Sequence, residues 1–342
     1  MDLLTQGLLG GVVALSMARK EDSRIAAGVG FAAALLADAD VFIGSGSDPL
    51  LNLEFHRHFT HALVFIPVGA LIAALLLWPV LRKRLGFKQI YGYALLGYAT
   101  AGLLDACTSY GTHLLWPFSD TRIAWSIIAI VDPVFSVVLL IALILGFKFC
   151  KPRPARIGLG LAGAYLLLGL WQHHNALQAG LELAAGRGHT VERILVKPTM
   201  ANLLLWRSVY QYDGRFHIDA IRVGLGAARV YRGASLRQFD ATQDLPDLQP
   251  DSVLSRDIDR FSTLADGYVV MDPRRSWVLT DIRYSMLPTA VTPMWGIDLK
   301  VTSTEQHATF EVYRDRPDNV RELFVAMLLG RDLPEQVNRP QP

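Results

Sequence analysis

The stretch HRHFTH at residues 56–61 runs directly into ALVFIPVGALIAALLLWPVL at residues 62–81, twenty residues without a charge. A helix needs about 20 predominantly apolar residues to cross the hydrocarbon core of a bilayer, so 62–81 reads as a membrane span with three histidines at its mouth. Further apolar segments lie outward from it at 3–17, 25–43, 89–104, 124–147 and 157–181. The chain has 342 residues and is 51% hydrophobic, too apolar for an ordinary soluble enzyme, and the excess sits in the first half. The expected fold class is an α-helical multi-pass membrane bundle of about six helices over 1–181. A mainly antiparallel β (α+β) extramembrane domain should follow over 182–342.

The opening segment carries Asp2 where a secretory signal has a basic region, and it lacks a small-x-small cleavage site, so it reads as retained. A net charge of +2 without a basic stripe gives no reason to expect a nucleic-acid partner. Cys107 and Cys150 lie in different segments and form no disulfide framework or paired-thiol site.

Charge sets the sidedness. Of the 13 Lys and Arg before residue 182, 11 fall in three clusters: Arg19, Lys20 and Arg24; Arg82, Lys83, Arg84 and Lys88; Lys148, Lys151, Arg153 and Arg156. Positive residues in short loops mark the cytoplasmic side. The loops after the second and fourth spans, and everything beyond the sixth, then face outward. Asp38, Asp40, Asp48, Glu54, Asp105, Asp120 and Asp132 map to that outer side with His56, His58, His61 and His113. An ionisable group at membrane depth costs at least ~2.5 kcal/mol at a helix centre and marks a functional site by default. Asp132 precedes Pro133, so it also suits a helix cap.

Imidazole nitrogens and carboxylate oxygens together are the ligand set of catalytic zinc, and manganese and iron accept similar donors. Water on zinc reaches a pKa near ~7, which gives hydroxide at neutral pH. No cysteine joins the cluster, and neither a nucleophile elbow nor a phosphate-binding loop appears. LLADAD (35–40), HRHFTHAL (56–63), GLLDACTSYGTHLLWPFSD (102–120) and IVDPVF (130–135) together make the constellation.

At those motifs the chain resembles the YdjM-like family of bacterial inner-membrane metal-dependent hydrolases. LLADAD matches that family's Leu-Pro-Asp-x-Asp element with Ala37 in place of Pro. HRHFTHAL is similar to its His-Arg-Gly-x-Thr-His-Ser element, retaining His56, Arg57, Thr60 and His61. The resemblance implies metal-site roles for Asp38, Asp40, His56, His61, Asp105 and Asp132. Two positions depart from the family pattern: Gln6 stands where many relatives have His, and Ala101 stands where many have His four residues before the acid. Either His113 substitutes for the latter, or the site binds metal differently. The family also looks distantly similar to zinc-dependent phospholipase C and P1-type nucleases.

After residue 181 the texture changes to short alternating runs, among them RILVKP (193–198), LLLWRSVYQY (203–212), RFHIDAIRV (215–223), MWGIDLKVT (294–302) and ATFEVYRD (308–315). Asp213-Gly214 between two of them is a hairpin signal. Trp206, Tyr210, Trp277 and Trp295 read as sheet packing.

These readings converge on a membrane-bound, metal-dependent hydrolase whose activated water attacks an ester; the membrane setting and the distant resemblance, rather than any motif, imply a phosphate ester of a lipid or envelope component. The expected metal ligands are Asp40, His56, His61, Asp105 and His113. Asp38 and Asp132 are candidates for base or supporting carboxylate, and Arg57 or Arg122 for stabilising negative charge. The cofactor is a divalent ion, zinc before manganese or iron. The expected location is the bacterial inner membrane, with the site and the C-terminal domain on the periplasmic side. The rival expectation is a non-catalytic metal-containing membrane protein whose outer domain binds a partner.

Overall fold

A computed structural model of the chain describes residues 1–224, 226–301, 305–313 and 319–334. Thr302, Arg314 and Asp315, which end two of the alternating runs, lie outside the described residues. The chain begins with α1 (Leu3–Met17) and α2 (Ser23–Leu36), the latter continued by a 3₁₀ stretch over Ala37–Phe42. A short α3 (Leu51–Phe55) precedes the 3₁₀ turns Phe59–His61 and Leu63–Phe65. Then come α4 (Ile66–Leu81), α5 (Phe87–Ala106), α6 (Pro133–Phe149) and α7 (Pro152–Gly186). Among the described residues, three stretches are long and apolar enough to cross a membrane: Ser23–Phe42, Leu63–Leu81 and Pro152–Gly186. α1 and α6 are apolar but shorter.

The first compact unit comprises Met1–Ile43, Phe55–Trp171 and Met200–Leu203. α1, α2 and α5 meet backbone to backbone through glycine. A Cβ on Gly30 would lie 2.4 Å from the Gly10 carbonyl oxygen, and one on Gly97 would lie 2.2 Å from that of Gly30. Small residues of this kind let apolar helices approach closely where no hydrophobic drive separates helix from lipid. Leu8, Val12, Leu15, Leu104, Phe135 and Leu139 fill the core beside them.

The apolar run 124–147 is not a single helix, because α6 starts only at Pro133. Asp132 caps that start, accepting from the Phe135 amide at 3.1 Å, and proline suits the first turn. The residues before it run back along the end of α5. Trp125 N donates to the Ala106 carbonyl at 2.7 Å, Ile127 N donates to Cys107 at 2.9 Å, and Thr112 bridges Ile123. Irregular backbone among apolar helices needs internal partners of this kind.

The second unit comprises Gly44–Glu54, Gln172–Thr199 and Leu204–Pro342. The division into compact units falls inside α7, between Trp171 and Gln172, and the segment Gly44–Glu54 belongs to the second unit. Strands β1 (Arg193–Pro198), β2 (Leu205–Tyr212), β3 (Arg215–Arg222) and β4 (Arg229–Arg237) form one antiparallel sheet in that order. After α8 (Ala241–Asp244) and α9 (Val253–Leu264), a second antiparallel sheet contains β5 (Val269–Asp272), β6 (Arg275–Asp281), β7 (Trp295–Asp298) and β8 (Thr309–Val312). α10 (Val320–Leu328) follows. Asp213 and Gly214, both at positive φ (50° and 65°), turn β2 into β3 with Tyr212 paired to Arg215.

Val209, Phe216 and Ile218 of the first sheet pack with Val270 of the second and with Tyr268 and Ile282, which flank its strands β5 and β6. Trp206 and Tyr210 are fully buried, as packing residues should be. Arg207 is buried too, and it donates to the carbonyls of Ile282 (2.8 Å), Leu287 (3.2 Å), Pro288 (2.9 Å) and Ala290 (2.9 Å). It thereby pins the loop between β6 and β7. Burial pushes this guanidinium down to about 9.

Candidate metal centre

The histidine motif is held in place by Asp40. Its Oδ2 accepts from the Arg57 amide at 2.9 Å and from the Thr60 hydroxyl at 2.6 Å, and its Oδ1 lies 3.1 Å from His56 Nδ1. Arg57 has a left-handed backbone, φ 61°, a conformation rare for a residue with a side chain. Its neighbours fix that conformation from both sides. The amide is bound by Asp40, and the Arg57 carbonyl accepts from Thr112 Oγ1 at 2.9 Å and from the His113 amide at 3.2 Å. The Thr60 carbonyl accepts from the Tyr98 hydroxyl at 2.9 Å, which ties the motif to α5. α5 comes close at that point. A Cβ on Gly102 would sit 2.2 Å from the His61 carbonyl oxygen, so glycine is required there.

This scaffold turns His61 toward two more carboxylates. Its Nε2 lies 3.2 Å from Asp105 Oδ2 and 3.4 Å from Asp38 Oδ1, and all three side chains are buried. One ligand atom from each of Asp38, His61 and Asp105 falls within 4.8 Å of the others, a separation that a single ion can bridge. On its far side, His61 Nδ1 faces Thr60 Oγ1 at 3.0 Å and Asp40 Oδ2 at 3.3 Å. If Nδ1 carries the ring proton, the Nε2 lone pair points at two anionic oxygens, which is repulsive unless a proton or a cation lies between them. Asp38 Oδ2, Asp105 Oδ2 and His61 Nε2 are buried atoms that make no hydrogen bond among the described residues. Buried polar groups in that state call for a partner, here a proton shared with Nε2, a water or an ion. The donor set, two carboxylates and one oriented imidazole, fits a divalent metal.

The other residues singled out in the sequence are distributed around this trio. Asp40 and His56 stand beside it as a hydrogen-bonded pair, with His56 partly exposed. Arg57 is 5% exposed and places Nε 3.0 Å from Asp105 Oδ2, close but without hydrogen-bond alignment; the Met1 amino group contacts the other Asp105 oxygen. The His113 ring packs against His58 with centroids 4.6 Å apart. Burial, then the neighbouring Arg122 and His58 charges, hold its imidazole down at about 4, so it is neutral near pH 7. Asp132 spends both oxygens elsewhere, one on the α6 cap and the other on the Tyr165 hydroxyl at 2.8 Å. The sequence gives Thr60 and Gly102 only as residues of quoted motifs, with no role assigned to Gly102, and gives no sign of Tyr98. Nothing local marks the roles of Tyr98 and Gly102, because they come from the crossing of α5 with the histidine loop.

A second group, Asp48, Asp257 and His307 in the other unit, also has ligand-like spacing. A cation already occupies it. Arg260 donates to Glu54 at 2.6 Å and to Asp48 and Asp257 at 2.9 Å each, while His307 Nδ1 lies 2.9 Å from Asp257 Oδ2. The Arg260 guanidinium outweighs burial and holds the Asp48 carboxyl below its ordinary value.

Comparison with known families matches residues 1–176, just over half of the chain, to a family model described as YdjM inner membrane protein. That match covers every residue of the Asp38–His61–Asp105 centre. Comparisons with curated proteins and with solved structures found no match.

Proposed function

The chain belongs to the YdjM inner membrane protein family, and on that premise we propose that it is a membrane-embedded, metal-dependent hydrolase of an ester in a lipid or envelope component, a phosphate ester first in line. The observation that carries this reading is the buried trio Asp38, His61 and Asp105, in which Asp38 Oδ2, Asp105 Oδ2 and His61 Nε2 make no hydrogen bond among the described residues. A divalent ion held there supplies Lewis acidity and lowers the pKa of water. Zinc is the first candidate from the donor types, with manganese and iron next.

The protein's own groups then have definite tasks. Asp40 and Thr60 fix the His61 ring so that Nε2 faces the ion. Asp40 likewise accepts from His56 Nδ1, which leaves Nε2 of this partly exposed side chain to take up or deliver a proton during ester cleavage. Arg57 faces Asp105 and keeps the carboxylate cluster from being uncompensated. All six long helices cross the membrane in this reading, and the basic clusters after α1, α4 and α6 put the centre and the sheet domain on the periplasmic side.

The close approach of Arg57 and the Met1 amine to Asp105 favours a second reading, in which the same carboxylates serve only to hold the helices together. Elemental analysis of the detergent-purified protein separates the two. The hydrolase reading expects about one divalent ion per chain, its loss in Asp38→Ala, His61→Ala and Asp105→Ala, and turnover on a panel of phosphate and carboxylate esters. Metal content near zero in folded wild-type protein would leave the second reading standing.

A further inference from the structure

Beside the metal centre, two guanidinium groups stand over one aromatic ring. Arg122 Cζ lies 4.7 Å from the centroid of Tyr110, and Arg57 Cζ lies 5.1 Å from it. The His56 ring flanks the same tyrosine at 5.7 Å. Cation–π contact of this kind orients a guanidinium and leaves its N–H edge available. Neither cation is fully satisfied. Arg57 Nη1 is buried and makes no hydrogen bond among the described residues. Arg122 makes one long bond, to the His56 carbonyl at 3.5 Å, and has no carboxylate within 4.0 Å among the described residues.

Charge decides what this arrangement accepts. Asp38, Asp40 and Asp105 carry three negative charges; a divalent ion with Arg57 and Arg122 brings four positive ones. A loaded centre therefore has a surplus of positive charge at its partly exposed rim, which favours an anionic ligand over a neutral ester and repels a cationic one. Guanidinium N–H groups bind phosphate in a bidentate fork, which a lone neutral carbonyl does not match. The segment that carries Arg122 also exposes Phe118 and Trp125, side chains suited to the headgroup level of a bilayer.

From these contacts, and resting on the hydrolase reading of the neighbouring centre, we infer that Arg122, Arg57 and Tyr110 form a phosphate-binding subsite that seats the anionic group of the substrate next to Asp38, His61 and Asp105. Arg122 is its main outer anchor, because Arg57 already serves Asp105. The same chemistry would take the phosphate of a lipid headgroup or of a soluble ester.

Titration of the full-length protein in detergent with inorganic phosphate tests this by calorimetry, once with metal bound and once after chelation. Wild-type protein should bind phosphate, more tightly when metal is present. Arg122→Gln should weaken that binding at least about 10-fold with metal content unchanged, and Arg122→Lys should recover part of it. Equal phosphate affinity in wild type and Arg122→Gln, or no binding in either metal state, overturns the subsite. Absence of metal or of turnover would instead count against the hydrolase reading, since the phosphate titration is read separately. A parallel titration with a short-chain phosphatidic acid decides the source: tighter binding than inorganic phosphate assigns a lipid headgroup, and equal or weaker binding assigns a soluble phosphate ester.

Discussion

The Thr60 hydroxyl donates to Asp40 Oδ2 at 2.6 Å, a bond that joins the histidine motif to the acid-bearing end of the second helical stretch. The same oxygen stands 3.0 Å from His61 Nδ1, so one hydroxyl positions both the acid that anchors the loop and the imidazole that faces the centre. Thr60→Val keeps the shape and removes the donor. Partners that orient a metal-binding histidine are typically worth about 10–100-fold in metal affinity. Competition with a graded chelator should show a loss in that range without a large change in thermal stability. Wild-type retention at every chelator concentration would remove Thr60 from this role.

Gly102 and Gly92 lie on the same helix and should respond oppositely to alanine. A Cβ at Gly102 meets the His61 carbonyl at 2.2 Å, backbone that cannot swing aside, whereas nothing lies within 4 Å of one at Gly92. Gly102→Ala should therefore cost about 1–3 kcal/mol by overpacking and displace His61, lowering metal content with it. Gly92→Ala should be neutral or stabilising by up to about 1 kcal/mol, because glycine is costly inside a helix. Thermal melts in detergent read the difference, and a Gly102→Ala protein as stable and as metal-rich as wild type would contradict the close approach.

The contrast between these two glycines shows where sequence reading succeeds. Apolar runs, the basic clusters and the acid and histidine motifs are local signals, so the helical character of the first half and the neighbourhood of His61 and Asp105 are legible in the sequence. The trio itself is not. Asp38 and Asp40 are two residues apart and look equivalent in LLADAD, yet one faces His61 Nε2 while the other anchors the loop through Arg57, Thr60 and His56. That division depends on the left-handed turn at Arg57 and on how closely α5 approaches, neither of which leaves a local trace. The run at 124–147 misled for the opposite reason: its apolar residues are real, but Asp132-Pro133 starts the helix late and sends the preceding residues back onto α5.

Arg260 ties the segment Gly44–Glu54 into the second unit through Asp48 and Glu54, and it also pairs with the fully buried Asp257. Arg260→Met leaves those carboxylates without their common cation. Removing one partner of a buried ion pair typically costs about 3–5 kcal/mol, and the lower end applies here because the guanidinium is partly exposed and Asp257 keeps His307 and the Ala308 amide. Limited proteolysis should then cut within residues 44–54 at protease levels that leave wild type intact. Identical digestion patterns would show that the segment is held by Leu50 and Leu53 packing alone.

The second unit should lose stability in mild acid through His217. Its ring stacks on Tyr210 with centroids 4.9 Å apart and stands 4.7 Å from His189, while Arg187 is paired with Asp219 beside them. Burial, followed by the His189, Arg187 and Arg215 charges, holds the His217 imidazole down at about 4 in the folded chain, against about 6.5 when unfolded. Between those values the unfolded chain binds the extra proton, so stability rises with pH. The full contribution is present above about pH 6.5, is lost progressively as pH falls toward 4, and changes no further below that. Denaturant unfolding followed by tryptophan fluorescence from pH 4 to 8 should show this slope in wild type and a flatter one in His217→Gln. A slope unchanged by the substitution would place the proton uptake on another group.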